Sequence, residues 1–323
     1  MVKNVKNDSV RVAIACQGGG SHTAFTAGVL KTILREKNGN YEIVALSGTS
    51  GGAICALLAW YGLLTDDRDE AVRLLDSFWT ENSASSLWDM FLNNLTVGTA
   101  RLQDVVAIPE ASPYTYPSWA QDYLRSLLEK NVDFDKIKTL SRSSSPVLLV
   151  GAVDVLSGKF KVLRNSEIGV DGILASAALP TFFRAVGIDG TVYWDGLFSQ
   201  NPPIRDFVQD PDASVKPDEI WVIQINPETR KKEPRSTKEI TDRRNELSGN
   251  LSLNQELDFI DSVNKWVDSG YLPQGRYKRI SVRRIEMLRD LDTASKLDRS
   301  QPFIHSMMAY GEKKAMEFME KLP

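Results

Sequence analysis

The apolar run Val10–Cys16 stops at Gln17-Gly18-Gly19-Gly20, and beyond it Phe25, Val29, Leu30, Ile33 and Leu34 recur at helical spacing. This pattern predicts a strand, a glycine loop and a helix. Ile43–Leu46 is a second short apolar run, Gly48–Gly52 interrupts it, and Ala53–Leu64 continues as apolar sequence of helix type. The strand-turn-helix module thus occurs twice in the first 65 residues, which predicts a parallel sheet with helical crossovers. From Ser83 to Leu140 the character changes, with Trp88, Phe91, Leu92, Tyr114, Tyr116 and Trp119 set among Asn, Ser, Pro and Gly, and the stretch reads as an insertion or cap rather than sheet. Pro146–Val155 and Lys159–Leu163 flank Ser157-Gly158, a hairpin signal that makes the sheet mixed. Glu219–Asn226 reads as a core strand, Thr237–Trp266 as an amphipathic helix, Tyr277–Met287 as a strand and Pro302–Leu322 as a closing helix with Pro near its first turn. No repeat, low-complexity segment or linker divides the chain, so the expectation is one domain over residues 8–323 with a cap at about 83–140.

Composition narrows the function classes. With 42% hydrophobic and 25% charged residues the chain is of ordinary globular type. A formal charge of -3 argues against a nucleic-acid partner, as does the lack of basic runs apart from Arg230–Lys232 and Lys278–Arg284, the latter alternating with apolar residues like a strand. The apolar stretch near the start, about six residues, is too short for a signal peptide or a membrane span. The expected location is therefore cytoplasmic, with peripheral membrane contact. Cys16 and Cys55 lie in apolar surroundings and read as buried free thiols. Together with the two histidines they form no ligand cluster, so neither a metal nor a cofactor is expected.

Candidate chemistry begins at Gly48-Thr49-Ser50-Gly51-Gly52, which has the form G-x-S-x-G. A sharp strand-to-helix turn needs residues without Cβ around its serine, and the helix beginning near Gly51 would direct its positive end at Ser50. The competing reading is a packing turn whose serine only caps the helix. The free amides of Gly18, Gly19 and Gly20 could converge on an oxyanion. A dinucleotide fingerprint would want glycine at position 23 and an acid at the end of the second strand, where this chain has Thr23 and Ser47, and no phosphate P-loop lysine follows either. A serine needs a base. His305 sits in a helical pattern, and His22 lies in the glycine loop, where a base would compete with the amides for the oxyanion. Asp195, in Tyr193-Trp194-Asp195-Gly196-Leu197, ends a short strand before a turn, although an Asp-Gly pair alone is a common turn.

Gly18–Leu30, Gly48–Gly52, the segment Ala175-Ser176-Ala177-Ala178-Leu179-Pro180-Thr181-Phe182-Phe183, and Asp195-Gly196 with Asn201-Pro202 beyond stand in the order and spacing of the patatin-like phospholipases. The chain resembles that family from about residue 11 to 203. The resemblance implies an α/β fold, a three-layer α/β/α sandwich with a mixed, mainly parallel central sheet. It makes Ser50 the nucleophile, Asp195 the base, Gly18, Gly19 and Gly20 the oxyanion hole, and Gly48, Gly51 and Gly52 the nucleophile elbow, with Gly196 supporting the aspartate motif. The implied reaction releases fatty acid from phospholipid or other acyl esters through an acyl-enzyme, and it needs no metal. The chain departs from the family's pattern at His22 (usually basic Arg or Lys), at Thr23 (usually Gly) and at Leu197 (usually Gly or Ala). Two alternatives stay open: a Ser-Asp-His hydrolase using His305, and a lipid-binding protein that keeps the fold without the chemistry. The aromatic stretch within 83–140 reads either as a transient membrane contact or as a satellite core.

Overall fold

Strand β1 (Val10–Cys16) lies at the middle of the molecule, with Val12, Ile14 and Cys16 entering one apolar core while Ala13 and Ala15 enter another. Burial on both faces is why its sequence is a continuous apolar run instead of an alternating one. The computed structural model describes residues 9–37, 39–65, 67–103, 112–141, 146–180 and 182–322. Around β1 are β2 (Tyr41–Gly48), β3 (Val147–Asp154), β4 (Phe160–Arg164), β5 (Val186–Ile188), β6 (Thr191–Asp195), β7 (Glu219–Gln224) and β8 (Ser281–Glu286). They form an eight-stranded sheet in the order β5-β6-β3-β2-β1-β7-β8, with β4 also paired to β3. The pairs among β3, β2, β1, β7 and β8 are parallel, and those of β3 with β4, β3 with β6 and β5 with β6 are antiparallel. The mixed, mainly parallel sheet expected from the Ser157-Gly158 hairpin is present.

One face of the sheet is covered by α1 (Ala24–Arg35), α2 (Gly51–Leu64) and α3 (Arg68–Asn82), which share a core with β1. Helix α2 is buried all round from Gly51 to Trp60, which accounts for its lack of a polar stripe. Between α3 and β3 lie α4 (Leu87–Gln103), α5 (Trp119–Asn131) and α6 (Phe134–Leu140), and a short α7 (Val170–Ser176) precedes β5. The long α8 (Thr237–Asp268) covers the other face through Leu253, Leu257 and Ile260, and α9 (Gln301–Met319) packs Ile304 and Met307 into the core of α1. The layers are those of an α/β/α sandwich. The strand expected over 277–287 is confined to Ser281–Glu286, because Tyr277 closes a turn by donating to Pro273 O at 2.9 Å.

The expected cap segment holds helices and no named strand among the described residues; Ala84 makes a single bridge to Ser300. Leu127, Leu128, Val132 and Ile137 join the main core. By contrast Phe91, Leu92, Tyr114, Tyr116 and Trp119 are all exposed, Trp119 by 76%, so they do not form a satellite core. The side chain of Trp88, and residues 104–111 and Thr181, lie outside the described residues.

Candidate active site

Strand β3 acts as a ruler for the site. Gly48 pairs with Val150, and Asp195 pairs with Ala152, which sets the end of β2 and the end of β6 about 7 Å apart along one strand. Ser50 follows Gly48 on the strand-to-helix turn with φ 56 and ψ -131. A non-glycine residue there costs on the order of 1–3 kcal/mol and persists only when its surroundings fix it. Two hydrogen bonds do so, because the Ser50 amide donates both to Ser176 O at 3.1 Å and to Ser176 Oγ at 3.0 Å. The Ser176 hydroxyl in turn donates to Gly151 O at 2.7 Å. The Ser50 side chain makes no capping bond to α2, so the helix-cap reading of this serine is not what the geometry displays.

In the loop after β1, a Cβ at Gly18 would run into Thr49 O. At two of the elbow glycines backbone meets backbone: a Cβ at Gly48 would run into Gly52 O and one at Gly52 into Cys16 O, while one at Gly51 would run into the side-chain Oγ1 of Thr23. Thr23, one of the departures from the family pattern, thus fills the space that Gly51 leaves open, and its hydroxyl donates to Gly20 O at 2.6 Å. Gly196 is required for the same reason, since a Cβ there would meet Gly151 O and Thr49 Cγ2.

Asp195 is 2% exposed. Its Oδ1 accepts the amide of Leu197 at 2.8 Å, and its own amide donates to Ala178 O at 3.1 Å. Burial pushes its carboxyl up to about 7, against hydrogen bonds from the Leu197 amide and from the Ser50 hydroxyl that pull it down. The turn that carries Ser50 follows β2 and Asp195 ends β6, so β3 brings the two side chains to the same end of the sheet, and a carboxyl poised near neutrality is able to take a hydroxyl proton as that hydroxyl attacks.

Of the loop amides, that of Gly18 is already committed, donating to the buried Asn201 Oδ1 at 2.7 Å. Asn201 is fastened in turn by Nδ2 to Gly249 O at 3.3 Å. The amides of Gly19 and Gly20, and that of Gly51 at the first turn of α2, have no partner among the described residues. An oxyanion would find its donors there, with Gly18 holding the loop in register. Gln17 anchors the same loop from beneath: its Oε1 accepts the amides of Ile225 and Asn226 at 2.9 Å each, while Nε2 donates to Asn250 Oδ1 at 2.9 Å.

Neither histidine is hydrogen-bonded to Ser50 or Asp195. His22 is 3% exposed, bonded through Nε2 to Ser295 Oγ at 2.8 Å and tilted against Phe303. Burial, then the nearby charge of Lys296, lowers its pKa to about 3, so it is a neutral wedge between the glycine loop and the turn Thr293–Leu297. His305 is exposed on α9. Both cysteines are free and buried, and burial pushes the Cys55 thiol up to about 12, which leaves it unreactive.

A mixed α/β sheet carrying a serine on a strained strand-to-helix turn is the framework of a serine acyl hydrolase. The chain belongs to the patatin-like phospholipase family, whose model matches residues 14–208. It is a hydrolase, and the membership implies action on lipid acyl esters. Among solved structures it is similar to VipD from Legionella pneumophila, with 11% identity over 97% of this chain and 67% of that one and a TM-score of 0.47. It is also similar to the type III effector ExoU of Pseudomonas aeruginosa, with 12% identity over 96% of this chain and 53% of that one and a TM-score of 0.40. The chain thus spans about two thirds of the first and about half of the second. No curated protein gives a match. Among the described residues no helix is long and apolar enough to cross a membrane.

Proposed function

We propose that the chain hydrolyses the acyl esters of phospholipids through a dyad in which Ser50 is the nucleophile and Asp195 the only base. The observation that carries this reading is the placement of Ser50, on a strained turn after β2, and the buried Asp195, at the end of β6, at one end of β3. As Ser50 Oγ attacks the ester carbonyl, its proton passes to Asp195, and the amides of Gly19, Gly20 and Gly51 receive the developing oxyanion. Collapse of the tetrahedral intermediate expels the alcohol, which takes the proton from Asp195 and leaves an acyl-Ser50. Water then attacks the acyl group, Asp195 takes the water's proton, and the fatty acid departs as Ser50 regains its hydrogen. The base must be ionised, so kcat/KM rises with pH through about 7. The test is a panel of glycerophospholipids, lysophospholipids and neutral esters followed by mass spectrometry, with Ser50→Ala as the blank. Fatty-acid release from none of them would overturn the reading.

Gly19→Ala probes the oxyanion loop. A Cβ at Gly19 would meet side-chain ends rather than backbone, Ile225 Cδ1 at 2.4 Å and Lys296 Cε at 3.8 Å, so the fold accommodates it by moving the Ile225 side chain. The shifted amide is expected to lower kcat about tenfold or more with KM changed far less, since the lost contact belongs to the transition state. Steady-state kinetics on a soluble ester reads the split, and an unchanged kcat in a folded variant would place the oxyanion donors elsewhere.

The membrane is met, in this reading, by the exposed face of α4, where Leu87, Leu95 and Leu102 are 87%, 55% and 57% exposed and spaced to share one side of the helix. Trp119, at the start of α5, adds an amphipathic ring of the kind that suits a lipid interface. Leu87→Ser combined with Leu95→Ser is expected to weaken vesicle sedimentation several-fold while a short soluble ester is still hydrolysed. Equal loss on both substrates would assign these residues to folding instead.

A further inference from the structure

β1 has β2 on one side and β7 on the other, and in an open α/β sheet the crevice outside the carboxyl ends of strands that diverge in this way is where ligands are received. Ser50 is at the end of β2, one strand from that crevice. The crevice itself is a cleft lined by His22 from the loop after β1, Asn226 just after β7, and Glu246, Arg289, Thr293 and Lys296. It abuts the glycine loop: Lys296 Cε is 3.8 Å from where a Cβ on Gly19 would stand.

The charges around the cleft are unevenly spent. Glu246 is taken twice by Arg230, at 2.9 and 2.6 Å, and again by Arg243 at 3.1 Å. Asp242 accepts the amide of Thr293 at 2.8 Å. Lys296 has no carboxylate within ion-pair distance among the described residues, and its Nζ makes one hydrogen bond, to Asn226 Oδ1 at 2.9 Å. An ammonium has three protons to donate, so two remain without a partner among the described residues. The same bond turns the Asn226 amide so that its Nδ2 faces away from the lysine and lies against Gly249 of α8, where a Cβ would stand 2.6 Å from it. Arg289 donates to the Ser306 hydroxyl at 2.8 Å, lies over the ring of Tyr310, and meets no carboxylate among the described residues. Glu246 and Asp242 act on the Lys296 ammonium only from beyond ion-pair distance, and a buried ammonium with protons left to donate is costly unless an anion reaches it.

We propose that this cleft is a phosphate subsite, with Lys296 Nζ as its main contact and Arg289 as a flanking donor. The phosphate has two sources with the same chemistry: the head group of a phospholipid whose ester lies at Ser50, which rests on the acyl-hydrolase reading, or a free phosphate, which does not. Burial holds the Lys296 ammonium down at about 8, so the lysine reacts readily with acylating reagents and can be followed directly.

The experiment acetylates the full chain briefly with acetic anhydride and quantifies the Lys296 peptide by mass spectrometry, in inorganic phosphate against chloride of equal ionic strength, with the exposed Lys159 as reference. Phosphate is expected to protect Lys296 and not Lys159; equal labelling of Lys296 in both salts overturns the subsite. The same measurement on Ser50→Ala with a lysophospholipid separates the sources without turnover. Protection by the lysophospholipid at lower concentration than by phosphate, joined to a fall of about tenfold in the phospholipid-to-neutral-ester ratio of kcat/KM in Lys296→Met, assigns the subsite to the head group. Protection by phosphate alone, with that ratio unchanged, assigns it to free phosphate. Because labelling does not require catalysis, a failed dyad and a failed subsite give different results.

Discussion

Ser50→Ala is expected to lower ester hydrolysis by at least about 10⁴-fold, because alanine removes the hydroxyl that accepts the acyl group. The fold should survive the change. Both hydrogen bonds that hold the strained backbone of Ser50 come from its amide to Ser176, and alanine keeps that amide. Labelling by a fluorophosphonate should disappear with the activity, while His305→Ala, which alters an exposed position on α9, should stay within about twofold of wild type. A loss of several orders of magnitude in His305→Ala would restore the histidine triad, and substantial hydrolysis by folded Ser50→Ala would remove Ser50 from the mechanism.

Why the elbow was legible in the sequence, and its supports were not, follows from what each residue does. Gly18, Gly51, Gly52 and Gly196 stand where any Cβ would meet an atom of a neighbouring segment, so the constraint is written as a residue type at the position itself. The apolar runs of β1 and β2 are legible in the same way, since burial on two faces leaves no polar positions. Asn201, which holds the Gly18 amide, and Ser176, which holds that of Ser50, act across 183 and 126 residues. Nothing local in the sequence records such a pairing. Helix α8 was read as amphipathic, yet part of its buried side is polar: Glu256 is 1% exposed and accepts the amides of Ile204 at 3.1 Å and Arg205 at 2.6 Å. Hydrophobic periodicity cannot distinguish such a carboxylate from a solvated one. The local sequence puts His22 in the glycine loop as a candidate base, and only the tertiary contact with Ser295 makes it a wedge.

Asp195→Asn is expected to remove activity and add stability at the same time. The wild-type carboxyl, ordinarily at 3.8, is raised to about 7 in the fold. Between those two values the unfolded chain releases a proton that the folded chain keeps, so this group contributes stability below about pH 4 that is lost as pH rises through about 7. The full loss is on the order of 4 kcal/mol, spent on ionising a carboxyl that burial disfavours. An asparagine never ionises, and its Oδ1 is still able to accept the Leu197 amide. Near pH 8.5 the variant should therefore be more stable than wild type by roughly 1–3 kcal/mol, read as a melting temperature several degrees higher. Near pH 4 the two should melt together, and the wild-type dependence through pH 7 should be flatter in the variant. Hydrolysis should fall by at least about 10³-fold at every pH, because in the proposed dyad Asp195 is the base, and among the described residues neither histidine is bonded to Ser50. Retained turnover would discard Asp195 as the base. A variant less stable than wild type at pH 8.5 would show that the carboxylate is stabilised by its surroundings, and that the base is not held near neutrality by burial.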